Sequence, residues 1–232
     1  MEAVGISKSE YAYQTIRSLI ITGQLPAGAL ISESTLSRQL EISRTPAREA
    51  IRLLISEGFI DSEGSFSRVH SMSLKEIYDL NEVRLHLEEM ALNTSISRIP
   101  DAELNVLINE WSKILQMVDG SIYNREPVLK RIRQLDNDTH LLIIQHCDNA
   151  VIPKLYENLL AKVNWSQSMI STLIKNDRKT IQYHMQLLSH LQERNIHGAK
   201  QILRAHIYDS LEGISTKSLL KGYDGLPVPN WS

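Results

Sequence analysis

Cysteine is almost missing from this chain: Cys147 is the only one. An internal disulfide is therefore excluded, and a reducing compartment fits. No apolar run is long enough to cross a bilayer, and no signal-peptide pattern is present. A cytoplasmic protein with no membrane partner is expected. Internal repeats and low-complexity tracts are absent. A basic field is missing too, with 25 Lys and Arg against 27 Asp and Glu and a net charge of −2. Even over the first 75 residues the two signs balance. Any affinity for nucleic acid must then come from charge clustered on one face. What is present is an ordinary globular composition, 42% hydrophobic and 22% charged over 232 residues. That length suits two domains.

The most informative stretch runs from Ile42 to Leu54. Ala47, Ala50, Ile51 and Leu54 follow helical spacing and form one apolar stripe. Arg44, Arg48 and Arg52 recur every four residues and share an exposed stripe. Taken alone, such a row reads as a solvated surface helix. The flanking residues change that. Ser32 can cap a short helix carrying Leu36 and Leu40, and Ser43 can cap the arginine helix. Pro46 falls in its first turn, where a missing N–H costs little. Two short helices joined by a few residues make a helix-turn-helix. Upstream, Tyr13, Ile16, Ile20 and Ile21 repeat at helical spacing, ended by Gly23 and Pro26-Ala27-Gly28. Downstream, Gly58 closes the arginine helix. Phe59 to Ser62, then Glu63-Gly64-Ser65, then Phe66 to His70 read as a small hairpin, or wing.

The run from Ile16 to Val69 resembles the N-terminal domain of GntR-family transcription regulators. The matching pieces are Gly23 to Gly28, Ser43 to Ala50, Leu53-Leu54 and Glu57 to Ile60. The resemblance implies that Arg44, Thr45 and Arg48 contact a double-stranded operator, with Ser34 and the wing residues Ser67 and Arg68 beside them. Two departures stand out. Glu41 occupies a turn position where the family usually has glycine, and Gly64-Ser65-Phe66 replaces the usual arginine-glycine wing tip. The first domain is expected to span residues 1–71.

From Ser73 onward nearly everything reads helical. Ser73 and Glu76 form a capping box. Leu74, Ile77, Leu80, Val83, Leu87, Met90 and Ala91 make an apolar stripe on the helix that follows. Further helices are expected from Pro100-Asp101, from near Pro127 to Cys147, from Ala150 to Lys175, from Arg178 to Arg194, and from His197 to Lys217. A loop is expected around Gly120-Ser121. The fold class is thus mainly α: a winged helix-turn-helix, then an antiparallel helical bundle over residues 72–221. A loosely ordered tail is expected over residues 222–232.

Histidines carry a second signal. Asp136 and His140 are four apart and share a helical face. His184 and His206 lie on two later helices. One carboxylate and three imidazoles suit a first-row metal, though buried or surface histidines account for the spacing equally well. The region from Ser73 to Leu220 looks like the all-helical FCD ligand domain of the FadR subgroup of GntR regulators. The resemblance rests on Asn81 to Glu88, Asp136 to His140, Tyr183-His184 and Ala205-His206. It implies that Asp136, His140, His184 and His206 hold a divalent metal such as zinc or nickel. Tyr183 stands where glutamate usually precedes the third ligand. Arg84 is a candidate for pairing with a carboxylate effector in fork geometry; a salt bridge to a neighbouring helix would explain it as well. Trp111 and Trp165 read as core.

The expectation is a homodimeric DNA-binding transcription regulator, acting as a repressor. It would read a palindromic operator and respond to a small organic acid bound at the bundle. Two alternatives stay open: a helical-bundle metal-dependent hydrolase using the same four residues, and a purely metal-responsive sensor.

Overall fold

The computed structural model of the chain describes residues 6–64, 66–119, 125–170 and 177–220. The loop expected at Gly120-Ser121, wing-tip Ser65, the helix end expected near Lys175 and the tail of residues 222–232 lie outside the described residues. The chain divides into two compact units. One comprises residues 1–77 with 161–169, the other 78–160 with 170–232.

The first unit opens with α1 (Lys8–Ile21), whose first turn is capped by Ser7 Oγ accepting from the Glu10 N–H. Next come β1 (Leu30–Ile31), α2 (Glu33–Gln39) and α3 (Arg44–Ser56). Ser32 caps α2 as expected, its Oγ accepting from the Thr35 N–H at 3.1 Å. Ser43 is the N-cap residue of α3, but its side chain makes no capping hydrogen bond. The hairpin forms as β2 (Ile60–Glu63) and β3 (Phe66–Val69). A third strand goes beyond the sequence expectation. β1 pairs antiparallel with β3, giving the order β1-β3-β2. Two residues are too few for alternation to show in sequence.

Ala12, Ile16 and Ile20 of α1 pack with Ala47, Ala50, Ile51 and Leu54 of α3 in one buried cluster. Trp165 completes that cluster, its ring 5.3 Å from that of Phe59. Trp165 is core, as expected, but core of the first unit. Just past β3, His70 lies between two carboxylates. Its Nδ1–H donates to Asp61 (2.9 Å) and its Nε2–H to Glu76 (2.9 Å). Glu76 also accepts from the Ser73 N–H (2.7 Å), while the Glu76 N–H donates to Ser73 Oγ (3.2 Å), so the capping box is present.

The rest is helical: α4 (Leu74–Ser95), α5 (Asp101–Asp119), α6 (Arg125–Gln145), α7 (Ile152–Ile170), α8 (Asp177–Gln192) and α9 (Ile196–Leu220). In the second unit α5 packs on α6 and α8, and α8 packs on α6 and α9. The apolar stripe expected on α4 is only partly inward. Val83 and Met90 are 51% and 53% exposed, while Asn81, Arg84 and Glu88 are buried. The inward face of α4 is mixed: Asn81, Arg84 and Glu88 share it with Ile77, Leu85, Ala91 and Leu92, because part of it walls a polar site. Hydrophobic periodicity placed Ile77 and Ala91 correctly and misplaced Val83 and Met90.

Candidate metal centre and nucleic-acid interface

Three helices of the second unit deliver the four candidate ligands. Asp136 and His140 lie one turn apart on α6, His184 on α8 and His206 on α9. All four are buried, and their ligating atoms lie within 4.8 Å of one another. Asp136 Oδ1 is at the centre. It is 3.1 Å from His184 Nε2, 3.3 Å from His206 Nε2 and 3.9 Å from His140 Nε2.

The surroundings orient these rings. The His184 Nδ1–H donates to the Thr180 carbonyl (2.8 Å), and the His140 Nδ1–H to Glu88 Oε2 (2.5 Å). Fixing Nδ1 as the protonated nitrogen leaves each Nε2 lone pair facing Asp136. Trp111 stacks on His184 with centroids 4.6 Å apart and planes 17° from parallel. Its indole N–H donates to Thr139 Oγ1 (3.0 Å), whose hydroxyl donates to the Leu135 carbonyl (2.7 Å). Trp111 is thus core and also a wall of the site.

Glu88 is the hub that sequence reasoning missed. It accepts from Arg84 Nε–H (2.8 Å), from the Tyr156 hydroxyl (2.5 Å) and from His140. Only Arg84, one turn away on the same helix, is local to it; His140 and Tyr156 are 52 and 68 positions away. At this site Arg84 Nη2, Asp136 Oδ2, His140 Nε2 and His184 Nε2 are buried without a hydrogen bond. Such orphans are costly unless something fills them. Arg84 Nη2 lies 3.8 Å from Asp136 Oδ2. Arg84 therefore forms salt bridges both to Glu88 on its own helix and, more loosely, to Asp136 on the neighbouring α6.

Electrostatics follow from burial and close charges. Burial pushes the His206 imidazole down to about 3, with His184 adding to the shift. Burial and Arg84 likewise lower His140. Neutral imidazoles are what a metal requires. Burial alone would raise Asp136, yet the His184 and His206 imidazoles packed against it hold its carboxyl well below the usual range. Burial opposes ionisation of Glu88 as well, but His140 and Arg84 bring it to about 2.

The first unit carries the other candidates. Arg44 and Thr45 open α3 and are exposed, and Ser34 is exposed in the first turn of α2. Ser67 and Arg68 are half-buried on β3, where Arg68 faces Asp61 across the ladder. The arginine stripe faces outward as expected, and Arg48 within it is ion-paired. Its Nε–H and Nη2–H donate to the two oxygens of Glu33. The partner lies 15 positions away on α2, beyond any helical spacing rule. Among the described residues Arg44 and Arg52 make no ion pair. Glu41, in the turn before α3, takes the left-handed conformation (φ 53°) that the family's usual glycine adopts freely.

Among the described residues, no helix is long and apolar enough to cross a membrane. Residues 8–65 match the gntR family of bacterial regulatory proteins, and residues 79–209, over half of the chain, match the FCD domain. The uncharacterized HTH-type transcriptional regulator YdhC of Bacillus subtilis is 25% identical over 202 residues, covering 86% of this chain and 88% of its own. The gluconate operon transcriptional repressor of the same organism is 30% identical over 148 residues, 64% of this chain and 58% of its own length. The solved structure of Escherichia coli McbR/YncC shares the fold, with a TM-score of 0.73 at 19% identity, covering 92% of this chain and 99% of that one. A winged helix with an outward arginine helix, joined to a helical unit enclosing one aspartate and three histidines, thus belongs to the GntR family of DNA-binding transcription regulators, in its FCD-domain branch.

Proposed function

We propose that this regulator binds a divalent metal through Asp136, His140, His184 and His206, and that a small organic acid bound at the metal modulates its affinity for a palindromic operator. The observation that carries this reading is the buried cluster whose ligating atoms lie within 4.8 Å of one another, with two of its imidazole Nε2 atoms left without a hydrogen bond. Three imidazoles and one carboxylate fit zinc, nickel or a similar first-row ion. Held by these four residues, a metal would supply Lewis acidity toward a carboxylate anion. Arg84 keeps donors on Nη2 for a carboxylate, and Glu88 fixes its guanidinium through Nε.

Operator contact falls to Arg44, Thr45 and Arg48, with Ser34, Ser67 and Arg68 at the edges. A homodimer sets two such faces on matching half-sites. Repression is favoured by the name of the gluconate operon relative. A cytoplasmic site of action follows from that role. A hydrolytic reading is disfavoured by Glu88. Its carboxylate is held near 2 and engaged by three partners, so it is a poor general base.

Metal analysis of the purified protein comes first, then thermal-shift screening of small carboxylates with and without chelator. Stoichiometric metal and chelator-sensitive carboxylate shifts are expected. Carboxylate shifts that survive chelation would reject the metal-bridged effector. A protein whose operator binding follows metal alone would be the metal-responsive sensor instead.

A further inference from the structure

One ion pair links α2 to α3 across the face that the arginine row presents. Arg48 Nε–H donates to Glu33 Oε1 at 2.7 Å and Nη2–H to Oε2 at 3.0 Å. Both carboxylate oxygens are used, so the two planar groups meet edge to edge. The side chains are 54% and 35% exposed. Exposed pairs of this kind contribute little to stability, and ordering two long side chains costs rotamer freedom. Folding therefore does not account for the pair. Neither does attraction to phosphate, since an acid on this face weakens it. The hydrogen bond from Arg48, then the charges of Arg48, Arg44 and Arg52, hold the Glu33 carboxyl below its ordinary range. It therefore stays ionised among the arginines.

A guanidinium has five N–H donors in a fixed fork. Glu33 occupies Nε–H and one N–H of Nη2. The Nη1/Nη2 edge remains, with two parallel donors that Glu33 does not use. That edge matches the O6 and N7 acceptors of guanine in the major groove. We propose that Glu33 is a positioning residue, whose carboxylate locks the Arg48 fork so that its remaining edge reads a guanine of the operator. The proposal rests on the reading of Arg48 as an operator contact. Glu33 itself touches no DNA. It trades general phosphate affinity for discrimination between bases.

A duplex selected by the wild-type protein from a randomised pool provides the operator. A scrambled duplex of equal length and composition provides the nonspecific probe. Affinities for both are measured at one salt concentration for wild type, Glu33→Gln, Arg48→Ala and the double variant. Glu33→Gln should lower the operator-to-scrambled affinity ratio by about tenfold, with scrambled binding unchanged or tighter. In the Arg48→Ala background it should add nothing. A fresh selection with Glu33→Gln should lose its preference at one guanine position. The proposal is overturned if Glu33→Gln tightens both duplexes equally, leaves the ratio unchanged, or costs the same factor without Arg48. If Arg48→Ala leaves operator affinity intact, the operator-contact reading fails and takes the proposal with it. Both side chains are exposed, so thermal unfolding midpoints close to wild type should verify folding.

Discussion

Arg84 and Arg48 each donate an Nε–H to a glutamate, at 2.8 and 2.7 Å. The first pair is buried in the helical unit, where Glu88 also holds His140 and Tyr156. The second lies open on the winged unit. Water decides what each is for. A buried charge must be matched or the fold suffers. A solvated pair adds little to stability, and it leaves unused donors at the surface for recognition. The same residue types thus hold a buried network together in one unit, through a single Nε–H bond, and in the other form an open two-bond pair to which the readout proposal assigns a role.

The sharpest way to break that contrast is to remove each glutamate in turn. Glu88→Ala strands the Arg84 guanidinium inside the bundle and should cost about 3–5 kcal/mol, read from chemical unfolding. Glu33→Ala should leave the unfolding curve unchanged. Equal losses in the two variants would erase the distinction. A second intervention fills the buried site. Metal at a hundred times its dissociation constant should stabilise the protein by about 2.7 kcal/mol. His206→Ala should abolish that gain in calorimetry, and Arg48→Ala should not.

Smaller effects refine the picture. Trp111→Phe keeps a ring against His184 but loses the N–H bond to Thr139. A loss of about 1 kcal/mol is expected in equilibrium unfolding, with weaker metal affinity in a competition titration. The smallest effect is a pH response of opposite sign in the two units of the metal-free protein. For His70, burial opposes its charge, but Asp61 and Glu76 overcome it and raise its pKa above the ordinary 6.5. Its contribution is full below pH 6.5 and fades as pH rises through the raised value. For His206, burial lowers the pKa to about 3. Its contribution is present above pH 6.5 and fades as pH falls from there toward 3. Unfolding midpoints of His70→Gln and wild type, compared across roughly pH 5 to 8 (a range set by these shifts), should converge at the alkaline end. A constant difference would remove His70 as the cause.

Local chemistry made much of this fold legible. Ser32 and the Ser73–Glu76 box marked helix starts because capping involves residues three apart. The arginine stripe was visible because helical spacing projects it onto one face. The spacing of Asp136 and His140 marked one half of the candidate site. The remainder depended on distance in the chain. Glu33 reaches Arg48 from another helix, Glu88 meets Tyr156 and His140 from far away, and Trp165 enters the core of a unit built largely from residues 1–77. The α4 stripe failed for a different reason. Its inward face mixes Asn81, Arg84 and Glu88 with Ile77 and Ala91 of the stripe, so polar residues took inward places while Val83 and Met90 faced water.

The left-handed Glu41 has a practical corollary for anyone wishing to improve this protein. A side chain in that conformation costs about 1–3 kcal/mol, and its acid stands just ahead of the arginine helix. Glu41→Gly relieves the backbone and deletes a negative charge in one step. Directed evolution for heat resistance and directed evolution for tighter promoter occupancy should therefore converge on the same codon.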